Sequence, residues 1–282
     1  MRNNKSFIKT VKHDIFYGIQ ANSIKFFLII ILFISLGSFF FSGIMNLSAS
    51  PLINGDATIT DCWISFFKGM SIYIPSKDNP FQIPIVWLII QVLFSFLILN
   101  YPTQDIYSYG TQIILRTKSR LFWWISKCVW NVLTILICYT IAFITACIFS
   151  LIFGEFSLIP NNSINQIANG IDLKNVMSYK VYIAIFLLPI LTSITVSLFQ
   201  MTLSFILSPL FSYLIIMCYL IASAYYYSPI LIGNFSMISR NQIIDPRGYS
   251  NWVAIIINCI LIIISIVTGI LYFRKFDILK KC

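Results

Sequence analysis

The chain has 282 residues, of which 59% are hydrophobic, 16% aromatic and only 10% charged, with a formal net charge of +10. Soluble domains carry roughly a quarter charged residues, so this composition excludes a water-soluble globule. A nucleic-acid reader is excluded by pattern, because the cations flank long apolar runs and form no single patch on a DNA-reading fold.

In chain order, the first element is amphipathic. The stretch SFIKTVKHDIFYG places Phe7, Ile8, Val11 and Ile15 on one helical face and Lys5, Lys9, Lys12 and His13 toward another. Residues 1–25 are therefore expected to form an entry helix lying on the inner membrane surface. Residues 26–282 are expected to form a transmembrane domain. Crossing about 30 Å of hydrocarbon takes about 20 apolar residues, and six spans can be placed at about 26–45, 81–99, 128–153, 181–207, 210–227 and 252–273. The uncharged interval between Lys180 and Arg240 is divided at Leu207-Ser208-Pro209, since proline lacks an amide donor and biases its predecessor away from helical angles. A cleaved signal peptide is not expected, because the first apolar run is longer than a signal core and no small-residue site closes it.

Charge sets the expected orientation. Arg2, Lys5, Lys9, Lys12, Lys25, Arg116, Lys118, Arg120, Lys127, Arg274, Lys275, Lys280 and Lys281 fall on one side, against three acids, Asp14, Asp105 and Asp277. The other side holds six cations and six acids. The positive-inside rule then predicts that both termini are cytoplasmic, in a multi-pass bacterial plasma-membrane protein. Six of the seven cysteines lie within or beside spans or at the cytoplasmic end, so no disulfide framework is expected.

Between spans two and three, Pro102, Thr103 and Asp105 read as the start of a short cytoplasmic helix over about 104–115, with the acid suited to the helix dipole. Ile106, Gly110, Ile113 and Ile114 recur at helical spacing and give it an apolar side. Arg116, Lys118 and Arg120 crowd its C-terminal end, and Phe122, Trp123 and Trp124 mark the membrane interface. The loop 46–80 carries several breakers and no chemistry that its residues name. The segment Ser228–Asn251 begins apolar, with Pro229 and Gly233 as breaks for a re-entrant hairpin. It ends with Arg240, Asp245 and Arg247, read as an outer gate of weak surface ion pairs.

No G-x-x-x-x-G-K-[ST] occurs, so nucleotide binding is expected to need a separate subunit. One histidine, no C-x-x-C and no paired carboxylates within a span argue against metal, redox or acid–base catalysis, and the chain is not expected to be an enzyme. The spans contain neutral polar and aromatic residues. Most of these read as interhelical hydrogen bonding, with Gln91, Ser95, Gln200, Tyr213 and Tyr219 as candidates for a conduit wall suited to an apolar or amphipathic substrate.

The entry helix, the six spans and the cytoplasmic helix together resemble the permease subunit of type-2 ATP-binding-cassette exporters over nearly the whole chain. The most specific parts are YSYGTQIILRTKSR followed by WWISK, which looks like that family's coupling-helix region, and GNFSMISRNQIIDPRGYS, similar to its outer re-entrant segment. Bacterial exporters of amphipathic peptide toxins, of the phenol-soluble-modulin type, look nearest. The resemblance implies two permeases paired with two cytoplasmic ATPase subunits, which bind the ATP and Mg while this chain binds no cofactor. It implies a docking face made of Ile106, Tyr107, Gly110, Thr111, Ile113 and Ile114, with Arg116, Lys118 and Arg120 meeting acidic groups on the ATPase. It also implies that Phe7, Val11 and Ile15 seat the entry helix. An ATP-independent carrier or channel, or a non-transporting immunity or sensor protein, fits the same composition.

Overall fold

A computed structural model of the chain describes residues 2–47, 55–75, 80–117, 119–173 and 179–275. Among these the fold is all helical, with no strand and only two isolated bridges, Thr58 with Glu155 and Asn241 with Tyr249. Helix α1 (Arg2–Ala21) meets α2 (Ser23–Leu47) at Asn22, whose amide donates to the Gly18 carbonyl at 3.0 Å. Next come α3 (Ile59–Phe67) and α4 (Ile85–Ile98). A broken rod follows, made of α5 (Tyr101–Asp105), a π-helical turn (Ile106–Gly110) and α6 (Thr111–Thr117).

Helix α7 (Arg120–Phe153) starts well before the expected third span, because the Ser119 hydroxyl caps it by accepting from the Phe122 amide. The short α8 (Asn162–Ile164) and a second π-turn (Asn165–Asn169) lead to α9 (Tyr179–Tyr182), a third π-turn (Ile183–Leu187) and α10 (Leu188–Ile206). The break at Pro209 is where the sequence puts it. Ser208 is extended (φ −169°, ψ 162°) and its hydroxyl accepts from the Phe211 amide as α11 (Pro209–Tyr225) begins. Two 3₁₀ turns (Ile232–Ser236 and Ile238–Arg240) precede α12 (Asn251–Lys275).

Among the described residues, five helical stretches are long and apolar enough to cross a membrane: Ser23–Leu47, Ile85–Asp105, Arg120–Phe153, Tyr179–Ile206 and Asn251–Arg274. The fifth expected span, α11, has 17 residues, about 25 Å at 1.5 Å per residue, and falls short of the hydrocarbon thickness. The chain beyond it folds back against the bundle, and Ile232–Asn241 is buried throughout.

Connections gather at two ends. At one, Lys25 donates to the carbonyls of Phe96 (3.0 Å) and Leu97 (3.4 Å), Arg120 donates to those of Phe273 and Arg274, and the Tyr272 hydroxyl donates to Phe205. This is the basic end. At the other, Glu155 N donates to Ala57 O, Thr60 to Leu158 O, Ser239 N to Lys68 O, and Asn251 to Lys180 O.

The loop 46–80 is not the featureless connection that its breakers suggest. Thr58 and Asp61 form a capping box that starts α3, and α3 inserts into the bundle. Trp63 lies 4.9 Å from the Phe186 ring and its indole donates to the Ile185 carbonyl, while Phe66 and Phe67 pack on Phe33, and Phe67 stacks on Tyr139. Each such aromatic contact adds about 0.5–1.5 kcal/mol beyond area burial. The non-basic end is thereby plugged.

Candidate functional site at the basic end

The basic end is organised by a buried charge cluster. Lys127, two turns into α7, places Nζ 2.7 Å from Asp14 Oδ1 of α1 and 2.7 Å from Asp105 Oδ2 at the end of α5. Lys127 and Asp14 are fully buried, and Asp105 is nearly so. The remaining lone pairs are used: the Ser126 hydroxyl donates to Asp14 Oδ2, Tyr101 donates to Asp14 Oδ1 at 3.4 Å, and the Trp123 indole donates to Asp105 Oδ2 at 3.0 Å. His13 Nδ1 lies 3.6 Å from Asp14 Oδ1. The ammonium also sits 4.5 Å from the Tyr101 ring centroid and 5.4 Å from that of Trp123, within cation–π range. Three elements that share no sequence neighbourhood are thus tied at one point.

Helix α1 reaches that point along a stripe of small and polar residues at four-residue spacing. Thr10, Asp14 and Gly18 are the buried face, and a Cβ at Gly18 would overlap the Trp130 indole of α7. Phe7, Val11 and Ile15, expected to seat the helix, only flank this stripe and are half-buried, with Phe7 5.6 Å from the Phe122 ring. Ile8 is exposed. The inward face is the one that carries both the Asp14 ion pair with Lys127 and the close approach of Gly18 to Trp130.

The expected docking face of the α5–α6 rod is also turned. Ile106 and Ile114 are buried in the main core, and Gly110 faces inward, where a Cβ would stand 2.8 Å from both the Asp105 carbonyl and the Trp123 indole nitrogen. Thr111 and Ile113 are half-buried. What faces away from the bundle is Gln104, Tyr107 (50% exposed), Gln112 and Leu115 (77% exposed). Of the three cations assigned to meet a partner, Arg120 binds the last carbonyls of α12 instead. The side chain of Arg116 and all of Lys118 lie outside the described residues.

Three of the conduit candidates, Gln91, Ser95 and Gln200, are buried in the core. The Ser193 hydroxyl donates to Gln91 Oε1 and exchanges a 2.8 Å bond with the Tyr139 hydroxyl, Gln200 donates to the Ser95 carbonyl, and Ser197 bonds Asn131 at 2.6 Å. These bonds join α4, α7 and α10, while Gln91 Nε2 and Gln200 Oε1 stay buried without a hydrogen-bond partner among the described residues. Tyr213 packs edge-on to Phe96, and the Tyr219 hydroxyl holds the returning segment by donating to Ile230 O and accepting from Ile232 N.

The outer gate separates into two parts. Asp245, partly covered, and the exposed Arg247 form a 3.0 Å pair, and the arginine holds the Asp245 carboxyl below the usual carboxylate range. Arg240 takes no part in it. It is 1% exposed and donates to the carbonyls of Ser223 and Ala224 at 2.6 Å, to Met70 O at 3.1 Å and to the Asn234 side chain. Burial pushes its guanidinium down to about 10, leaving it charged at neutral pH. It satisfies carbonyls of the last turn of α11, while the Asn234 side chain donates to the carbonyl of the C-cap residue Tyr226 at 3.2 Å.

Sequence reasoning also passed over Asp61. It accepts from Thr58 N at 2.9 Å, Asn161 N at 3.0 Å and the Asn165 amide, so it pins α3 to the segment after α7. Burial raises its carboxyl to about 6 against the lowering effect of those bonds. Its ionised form is therefore penalised in the fold, and its contribution to stability declines as pH rises from the ordinary carboxylate range to about 6, staying constant above that.

These helices and two chemically distinct ends define the class, an all-helical polytopic membrane protein. Residues 62–279 match the model of the family described as "Protein of unknown function (DUF2705)", and the chain belongs to that family. Neither curated proteins nor solved structures gave a match.

Proposed function

We propose that the chain is the membrane-spanning subunit of an ATP-driven exporter that moves an amphipathic or hydrophobic substrate, a peptide in the simplest case, out of the cell or membrane. Two copies would pair with two cytoplasmic ATPase subunits that bind ATP and Mg, with the basic end cytoplasmic in a bacterial plasma membrane. The observation that carries this reading is the Asp14–Lys127–Asp105 cluster beneath an exposed helix face. A push on Tyr107 or Leu115 is delivered through Asp105 to α7 and α1 together, because the charges that join them have no solvent in which to slip. The side-chain hydrogen bonds that join α4, α7 and α10 favour a substrate path outside a single chain's core, between copies or along the lipid face.

The test is ATP hydrolysis by the full chain purified from native membranes with its associated subunits. Vanadate-sensitive activity is expected, and Leu115→Glu should reduce it at least about tenfold while insertion and thermal stability hold, since an exposed substitution costs little stability. Unchanged hydrolysis in Leu115→Glu, or substrate flux by the purified chain alone, counts against the proposal.

A further inference from the structure

The plugged end carries two clefts that run into one another. One, of about 790 Å³, has a mixed lining in which polar residues such as Ser71, Gln82, Asn169 and Ser239 alternate with apolar ones such as Ile83 and Trp87. The other, of about 280 Å³, is apolar and lies against the end of α2, between Phe39, Phe40, Gly43, Ile44 and Val86. Ser65, Phe66, Lys68, Val86 and Asn169 line both. The apolar cleft opens toward lipid, since Phe39 is 77% exposed on the helix surface beside it. At Gly43 a Cβ would meet nothing within 4 Å.

Lys68 stands at the junction. Its ammonium donates to the Asn169 carbonyl at 3.3 Å, and among the described residues no carboxylate lies within ion-pair distance of it. The other charged residue lining the clefts, Asp245, is paired with Arg247. Burial lowers the Lys68 pKa, the sign of a cation that a nearby anion would relieve. A half-buried cation at the mouth of an apolar slot open to the bilayer is complementary to a molecule with an anionic head and a hydrocarbon tail. We infer that this double cleft binds an anionic lipid of the leaflet at that end, with its head group at Lys68 and one acyl chain against Gly43. The inference does not rest on the exporter reading.

The experiment is photo-crosslinking of the full chain in nanodiscs containing either phosphatidylglycerol or phosphatidylcholine bearing a diazirine on the acyl chain, read by the mass of the labelled peptide. Labelling of residues 36–47 should favour phosphatidylglycerol at least about fivefold, the equivalent of the roughly 1 kcal/mol that a lysine gains beside anionic lipid. Lys68→Gln should bring the ratio near one and Lys68→Arg should restore it. Gly43→Phe, whose Cβ meets nothing within 4 Å and whose ring would occupy the slot, should depress labelling by both lipids. Equal labelling by the two lipids in the wild type overturns the inference. So does a ratio unmoved by Lys68→Gln, or labelling displaced by an amphipathic peptide without any lipid preference.

Discussion

At the scale of single residues, the decisive side chain is Lys127. Two carboxylates and one ammonium, all withdrawn from water, are tolerable only because each charge has an opposite within 2.7 Å and the Ser126, Tyr101 and Trp123 donors complete the shell. Removing the cation strands two buried anions, whereas removing one anion leaves a neutral pair. Lys127→Met should therefore destabilise the protein by about 3–5 kcal/mol, read as detergent thermal unfolding, and Asp105→Asn by clearly less. The triple variant Lys127→Met, Asp14→Asn, Asp105→Asn should recover much of the loss, since apolar or neutral replacement of a whole buried cluster is often tolerated. A Lys127→Met protein as stable as the wild type would refute the account. Arg240 follows the same logic with carbonyl dipoles in place of carboxylates.

Among elements, α1 and the α5–α6 rod behave as one unit with the root of α7. The π-turn Ile106–Gly110 accommodates one residue more per turn than an α-helix directly after Asp105. Helix α1 depends on close approach at Gly18. Gly18→Leu, which drives atoms into the Trp130 indole, should cost about 1–3 kcal/mol through overpacking. Gly43→Leu, with open space around its Cβ, should leave unfolding unchanged or improve it slightly by helix propensity. Equal effects of the two substitutions would mean that α1 is not held against α7 as described. Helix α3 is the counterpart at the other end, short and strongly capped, and held by aromatic packing where α1 is held by charge.

Taken as a whole, the molecule is a bundle with a plugged end and a basic end. Among the described residues its connections gather at these two ends, which puts Leu115 and Phe156 on opposite ends. Both are exposed. Leu115→Cys and Phe156→Cys, introduced singly and labelled in intact cells with a membrane-impermeant maleimide, should react from opposite sides. Phe156→Cys should label from outside if the basic end is cytoplasmic. Labelling of both from the same side would break the alternation of the helices.

Composition and the spacing of charges determined, by themselves, that the chain is helical, where most of the apolar helices run and where Pro209 divides the fourth from the fifth. Those features follow from local rules, hydrophobic length and a missing amide donor, that need no partner elsewhere in the chain. Tertiary structure alone decided which faces turn inward. Asp14, Asp105 and Lys127 are far apart along the chain and look like ordinary interfacial charges until folding removes their water. Ile106, Gly110 and Ile114 have the right period for a surface stripe, but periodicity gives a face without saying what covers it. Arg240 reads as a rim charge because its true partners are backbone carbonyls, which every sequence contains and none displays. The insertion of α3 depends likewise on aromatic neighbours contributed by three other segments, α2, α7 and the third π-turn, so its burial could not be read from the loop's own residues.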